Sequence, residues 1–594
     1  MILNIPKGIP KHPENMSKLT LKPVFTERNL FILFSIANII PVCLTSFIGS
    51  LDGPQHLYVS NIIAQIWKGN EIYQQFYLLN QPVIGNVLGN YILAIFNLFL
   101  PAWLAEKAFI ITYLVSLTYG FRYLVISIKG KPGYLTLLIF PFSYHMLFMM
   151  GYYNFSLAIA IMFISLGFWI RHYQNFTLKS ILISFILFTL TYYSHVFVFV
   201  FLLFILGLHI TFNLFVEIIR KEKQAVRRYF TRAAIALICA IPGLIFSYLY
   251  LSKIPDINPS GTVTNEFAHW KNLFDMKILI GFVDYEEVLF TRMLSVTLLV
   301  LFVWIFAKRI LVRFKEYRAG TRHSVNIFEL SDFWLGIAVL FIGIYLYFPN
   351  NMSFSFRITV LLVYIVILWI AVQDFNPKHA ILPIVVILYG GISLRTVYVK
   401  YQRPLDRQIT EIQSIERLIP ENTLIMTANY SENWIQYHIQ NYIGTEKPII
   451  DIRSPAVSEL FAVNWNHKER PFTFVGAKES GIFSGLWNNP KNSSVMIAQY
   501  IAVIDYVHFL RFSDDDRVKK ILARDYRILY VSKSRFVALF KFNAAEKVRT
   551  YQTWLESKPN SVKHLKDKAR NYNLPYEVVL QKDALWLYDQ SFAE

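Results

Sequence analysis

The stretch HVFVFVFLLFILGLHITFNLFVEI, residues 195–218, runs straight into IRKEKQAVRRYFTR, residues 219–232. The first piece is long enough to cross ~30 Å of hydrocarbon at ~1.5 Å per helical residue. The second carries Arg220, Lys221, Lys223, Arg227, Arg228 and Arg232 and no long apolar run. An apolar block closed by a basic loop is how a membrane helix is oriented, with its cations left in the cytoplasm. Similar blocks lie at about 29–49, 105–127, 134–150, 152–170, 178–193, 233–252, 290–307, 332–348, 357–373 and 380–395. The composition agrees. Of 594 residues 55% are hydrophobic and only 16% charged, and mean hydropathy is +0.39. That is too apolar for a soluble enzyme of this length.

The expected fold is therefore a polytopic α-helical membrane protein of about eleven transmembrane helices with a C-terminal soluble α/β domain. Threading the blocks alternately from a cytoplasmic tail at 1–28 puts both strongly basic loops, 219–232 and 308–322, inside. Lys129, Lys131, Arg171, Lys179 and Lys378 fall on the same side. This requires that Val87–Leu100 not cross, which suits a short interfacial or re-entrant helix. A transmembrane module then spans 29–396, with a long first outside loop at 50–103 holding short helices near His56–Lys68 and Val87–Leu100. The net charge of +19 is accounted for by loop cations, which argues against a nucleic-acid partner. Cys43 and Cys239 both sit in apolar blocks, so no disulfide framework is implied. The first block has no small-x-small cleavage site after it and reads as a signal anchor.

From about residue 397 the composition turns soluble. Ile409, Ile412, Ile415 and Leu418 share one face of an amphipathic helix over Pro404–Leu418. Strand patterns follow at 423–428, 447–452, 500–509, 526–532 and 536–542, with helical patterns at 431–443 and 515–524. A last hairpin-like pair surrounds Lys582–Asp583. The threading puts this whole domain, 397–594, outside the plasma (inner) membrane.

The chain contains no GxGxxG, GxxxxGK[ST], HExxH or GxSxG motif, which argues against nucleotide hydrolysis. What stands out is Ser50-Leu-Asp-Gly-Pro-Gln-His-Leu-Tyr58, just outside the first span. Asp52, held by a Gly53-Pro54 turn, can serve as a general base, with His56 one helical turn away and Gln55 and Glu71 as substrate contacts. The plainer reading is a carboxylate that caps the next helix. Tyr152-Tyr153-Asn154, His195, Asn350-Asn351 and Arg357 map to the same outside face. A lone His or Arg at a span end usually snorkels; several converging with an acid point to a site.

In its basic N-terminus, single span, long outside loop with an early acid, further spans and outside α/β tail, the chain resembles the GT-C glycosyltransferases. The Asp52-Gly-Pro-Gln-His56-Leu-Tyr, Gly151-Tyr-Tyr-Asn154-Phe and Tyr193-Ser-His195 segments are similar to bacterial members. The resemblance implies inverting transfer of a sugar from a polyprenyl-phosphate donor to a glycan, glycolipid or protein acceptor, in cell-envelope glycan biosynthesis. It places Asp52 as the base and Arg357, assisted by His195, at the donor phosphate, with membrane lipid around the site. Many members carry two adjacent acids, whereas Asp52 is followed by Gly53. A divalent metal is not favoured, no cofactor is implied, and phosphate charge falls to protein cations. The Asp514-Asp515-Asp516 run reads as a helix N-terminus, and Asp284, Glu286 and Glu287 are weaker acid candidates. Two other classes remain. One is an inactive GT-C-like structural or binding subunit. The other is a transporter of a lipid-linked substrate, which would call for polar residues at mid-span and inverted repeats.

Overall fold

The computed structural model describes residues 26–252, 266–282, 284–318, 330–347, 354–466, 498–512 and 516–590. Most of the tail at 1–28, Asn350-Asn351 and Asp514-Asp515 lie outside them. Thr26 starts the first helix by accepting a hydrogen bond from the Asn29 amide, and α1 spans Glu27–Cys43. The first outside loop then forms α2 (Gly53–Trp67), α3 (Glu71–Phe76), strand β1 (Tyr77–Leu79) and α4 (Leu88–Asn97). At ten residues α4 reaches only ~15 Å, too short to cross. It packs beside α2, with Asn97 donating to Ser60 Oγ at 2.7 Å.

The membrane part continues through α5 (Ala102–Lys129), α6 (Met146–Met149), α7 (Tyr153–His172), α8 (Leu178–Ser194), α9 (Val196–Ile219) and α10 (Ala225–Leu251). It ends with α11 (Glu266–Phe274), α12 (Asp284–Arg318), α13 (Leu330–Tyr347), α14 (Ser355–Ala371) and α15 (Pro377–Glu416). Among the described residues six helices are long and apolar enough to cross a membrane, and shorter apolar helices stand beside them. The block expected at 134–150 is no continuous α-helix: Tyr134–Ser143 is a 3-10 helix that contains Pro141 and is followed by the single turn of α6. It still runs from one end of the bundle to the other. Thr136 donates to Glu27 at the start of α1, whereas Met150 accepts from the Asp52 amide. At ~2 Å rise per residue a 3-10 helix covers that length with fewer residues.

The two ends differ in chemistry. At one, Glu27 pairs with Arg122, Glu217 with Arg228 and Arg232, and Asp332 with Arg309 and Arg313. The basic segment 219–232 lies here. At the other end lie the Asp52 turn, residues 151–154, the α8–α9 junction and the soluble domain.

The soluble domain grows directly out of the last membrane helix. The amphipathic stretch expected as a separate helix from Pro404 is instead the second half of α15, which runs unbroken through both Pro383 and Pro404. Isoleucines 409, 412 and 415 are fully buried along it. Beyond it come β2 (Thr423–Asn429), β3 (Ile449–Asp451), β4 (Val463–Trp465), β5 (Tyr500–Ile504), α16 (Tyr506–Phe512), α17 (Asp516–Asp525), β6 (Tyr526–Val531) and β7 (Val537–Phe542). Strand order is β3-β2-β5-β7-β6, with β3, β2 and β5 parallel and β7 antiparallel to both neighbours. The six residues Thr423–Ala428 are all buried, the continuous apolar run expected of a central strand covered on both faces.

Three tail expectations need correction. The strand expected to reach residue 509 stops at Ile504, where Asp505 takes a positive φ of 54° and turns the chain into α16. The helical pattern at 431–443 forms two short 3-10 turns, Trp434–Gln436 and Ile439–Tyr442. The hairpin expected around Lys582–Asp583 is a helix: α18 (Ala545–Glu556), α19 (Pro559–Tyr572) and α20 (Tyr576–Gln590) pack as a three-helix appendage. Val579, Leu580, Ala584, Leu585 and Tyr588 are buried at helical spacing, and Lys582–Asp583 is the polar face between them.

The domain is bolted to the first outside loop. Tyr77–Leu79 pairs antiparallel with Val463–Trp465. Tyr58 and Tyr73 both donate to the Ile449 carbonyl, at 3.1 and 2.9 Å. Gln402 exchanges two hydrogen bonds with Gly49, and Asp406 accepts from the Ser46 and Phe47 amides. The chain just before Asp52 is thus held by the last membrane helix.

Candidate functional site

Asp52 sits at the N-cap of α2, and Pro54, the second helical residue, fixes a helical φ in the first turn. Its carboxylate does not cap the helix. Ser50 Oγ takes that role, accepting from the Gly53 amide at 3.1 Å. Asp52 is anchored by its backbone instead, donating to the Met150 carbonyl at 2.9 Å. Gly151 has φ +85°, and a Cβ there would fall 2.3 Å from the Gly53 nitrogen, so the two glycine turns pack backbone to backbone. The capping alternative therefore loses its physical basis, and the carboxylate is left available.

Its surroundings are mixed. The side chain remains 28% exposed, so solvent and solutes reach it. Burial pushes its pKa up to about 6, and the Arg357 guanidinium partly opposes this by lowering it. Arg357 lies in the first turn of α14, its Cζ 5.5 Å over the Tyr152 ring and 5.9 Å from the Phe155 ring. Its charge bears on Asp52, Tyr152 and His195 alike. His195 breaks the chain between α8 and α9 and meets Phe155 edge-on at 5.3 Å. Asp52, Tyr152, His195 and Arg357 are therefore brought around one spot by four elements, with a helix N-terminus adding positive potential.

The other sequence candidates have structural partners. His56 pairs its Nδ1 with Asn90 Oδ1 at 3.3 Å and stacks on Tyr153 at 5.6 Å, and burial lowers its pKa to about 4. Its ring makes no hydrogen bond to Asp52; only its amide reaches the Asp52 carbonyl. Tyr153 is buried and donates to Glu106 Oε1 at 2.8 Å. Asn154 accepts from the Gly89 amide and donates to the Asn86 carbonyl, pinning the start of α4 and the residue pair before it. Gln55 is half-buried on the first turn of α2. Glu71 is exposed at the start of α3. The fifteen residues of α2, ~22 Å long, separate it from Asp52. Among the weaker acids, Glu286 pairs with Lys400 and Tyr401, and Glu287 accepts from the Gly281 and Phe282 amides. No three of His, Cys, Asp and Glu gather as a metal set among the described residues.

Two neighbours of Asp52 stand outside the sequence-based candidates. Glu106, with 0% exposure, lies beneath the Asp52 turn; a Cβ on Gly53 would come 3.2 Å from its Oε1 and 2.7 Å from the Tyr153 hydroxyl. An acid inside an apolar block is itself a functional pointer, so Glu106 was legible in the sequence. His438, from the soluble domain, stands with Nε2 3.8 Å from Asp52 Oδ1. Nothing in the sequence signals that pairing.

No family model and no curated protein matches the chain. Two solved structures align over most of it. ArnT from Cupriavidus metallidurans bound to undecaprenyl phosphate shares 8% identity, covers 87% of this chain and 98% of its own, and gives a TM-score of 0.46. The same protein in the apo state gives 8%, 86%, 98% and 0.45. Similarity at that level is one of outline.

Proposed function

We propose that this chain is an inverting glycosyltransferase that moves a sugar from a polyprenyl-phosphate donor to an acceptor hydroxyl at the outer face of the plasma membrane. The observation that carries the reading is the carboxylate of Asp52, uncapped and partly open, in the field of Arg357 at the junction of membrane and soluble parts. The acceptor oxygen attacks the anomeric carbon while its proton passes to Asp52. The bond from that carbon to the phosphate oxygen breaks, and polyprenyl phosphate leaves. Arg357 and the N-terminus of α14 face the charge that grows on the phosphate, where preorganised donors act most strongly. The basic segment at the opposite end favours a cytoplasmic location for that end, leaving the soluble domain extracytoplasmic.

The test uses purified full-length protein in nanodiscs, with the lipid extract of cells lacking the gene supplying donor and acceptor. Mass spectrometry should show a glycosylated product, and its anomeric configuration, read by NMR, should be inverted relative to the donor. Absence of transfer by the wild-type protein, or retention of configuration, would overturn the reading.

A further inference from the structure

His438 comes to Asp52 from the soluble domain, on a segment held against the first outside loop, where Tyr442 donates to the Ile48 carbonyl at 2.8 Å and Asn61 to the Gly444 carbonyl at 2.7 Å. It lies between two 3-10 turns of the soluble domain, and its Nε2 is 3.8 Å from Asp52 Oδ1, beyond hydrogen-bonding distance. On the other side of the ring, Nδ1 is buried and has no hydrogen-bond partner among the described residues. Burial lowers the ring's pKa to about 4, so the imidazole is neutral and carries one N–H. Placing that hydrogen on Nδ1 would bury an unsatisfied donor; placing it on Nε2 puts the donor on the nitrogen that stands 3.8 Å from Asp52 Oδ1. The gap is thus bounded by one donor and one acceptor. An oxygen ~2.8 Å from each would lie ~2 Å off the line joining them, an ordinary geometry for two hydrogen bonds.

We propose that His438 and Asp52 form a two-point clamp on the acceptor hydroxyl, with His438 the positioning residue contributed by the soluble domain. The proposal rests on the transferase reading above. The hydroxyl oxygen accepts from Nε2–H and donates its proton to Oδ1, leaving a lone pair for the anomeric carbon. As the new C–O bond forms, the proton ends on Asp52 and the electron pair of the broken bond leaves with the phosphate. His438 keeps its proton throughout. The clamp selects an alcohol over an amide, because an amide nitrogen has no free lone pair to accept from Nε2–H. The acceptor class is therefore a sugar or other aliphatic hydroxyl, not an asparagine side chain.

The test compares His438→Leu, which fills the space without a donor, with His438→Gln, whose amide N–H can reach the Nε2 position. Both are assayed as full-length protein with the same lipid extract, at limiting acceptor. His438→Leu should lose about tenfold in transfer, the cost of one hydrogen bond, with undecaprenyl phosphate binding unchanged. His438→Gln should recover most of the rate. Wild-type transfer by His438→Leu, or equal losses in both variants accompanied by lowered thermal midpoints, would overturn the clamp. Asp52→Asn is run beside them. If Asp52→Asn loses transfer while His438→Leu is unimpaired, only the clamp falls; if Asp52→Asn transfers normally, the proposed role of Asp52 falls with it.

Discussion

At the scale of single residues, the account turns on how burial and charge set Asp52. A general base must be ionised, and a carboxylate with its pKa near 6 is about nine-tenths ionised at pH 7. Below pH 6 the rate constant kcat/KM should therefore fall about tenfold per pH unit. A profile flat to pH 4.5 would contradict the assignment. The same shift bears on stability with the opposite sign. The folded-state pKa lies above the unfolded value of 3.8, so the protonated acid is the favoured form in the fold. Its contribution is fully present below pH ~4 and is lost as pH rises through 6. Asp52→Asn should thus leave the thermal midpoint at pH 7.5 unchanged or raised, measured by scanning fluorimetry. Arg357→Lys keeps the charge and loses the planar fork that matches a phosphate. It should weaken undecaprenyl phosphate binding by about tenfold with folding intact, and an unchanged affinity would remove Arg357 from the donor site.

At the scale of elements, two glycines with similar backbones make different demands. Gly69 has φ +80°, and a Cβ there would meet nothing within 4 Å, whereas at Gly151, φ +85°, a Cβ would strike the Gly53 nitrogen at 2.3 Å. Gly69→Ala should cost only the left-handed strain, about 1 kcal/mol, and spare transfer. Gly151→Ala must push the Asp52 turn aside and should abolish transfer. Equal activity in the two variants would show that the turn-on-turn packing does not position Asp52. Elements also mark where sequence reading works. The apolar blocks and the buried strand expected at 423–428 were legible because burial in lipid or between two layers leaves one-dimensional patterns, whereas the basic stretch expected as a loop from 308 is helical as far as Arg318, the end of α12. The failures share a different cause. Val578-Val579-Leu580 and Ala584-Leu585 are short apolar runs on either side of Lys582–Asp583, enough to suggest a hairpin, and only packing against α18 and α19 reveals the helix. Pro404 has the look of a helix start, but α15 tolerates it within a continuous helix. The 3-10 crossing at Tyr134–Ser143 has the composition of a span and no signature of its tighter pitch.

At the scale of the whole molecule, the site belongs to neither part alone. The first loop supplies Asp52, the bundle supplies Tyr152, His195 and Arg357, and the soluble domain supplies His438 across a seam bolted by Tyr58, Tyr73, Gln402 and Asp406. The alternating spans place Asp52, Tyr152, His195 and Arg357 on one face already in the sequence, whereas no pattern links residue 438 to them. The arrangement also requires that the ends of the bundle face opposite sides of the membrane. In a variant lacking Cys43 and Cys239, single cysteines at the exposed positions Arg227 and Tyr572 should label oppositely with an impermeant maleimide in intact cells, Tyr572 reacting and Arg227 protected. Labelling of both would refute the orientation.

The central claim is that Asp52 acts chemically and not as a helix cap. Asparagine keeps its shape and removes the basic oxygen, and Ser50 already holds the Gly53 amide. Turnover and thermal midpoint should therefore be measured together on purified Asp52→Asn protein. The account requires a loss of about 10²–10⁴-fold in transfer at an undiminished midpoint; turnover near the wild-type rate would show that Asp52 is not the base.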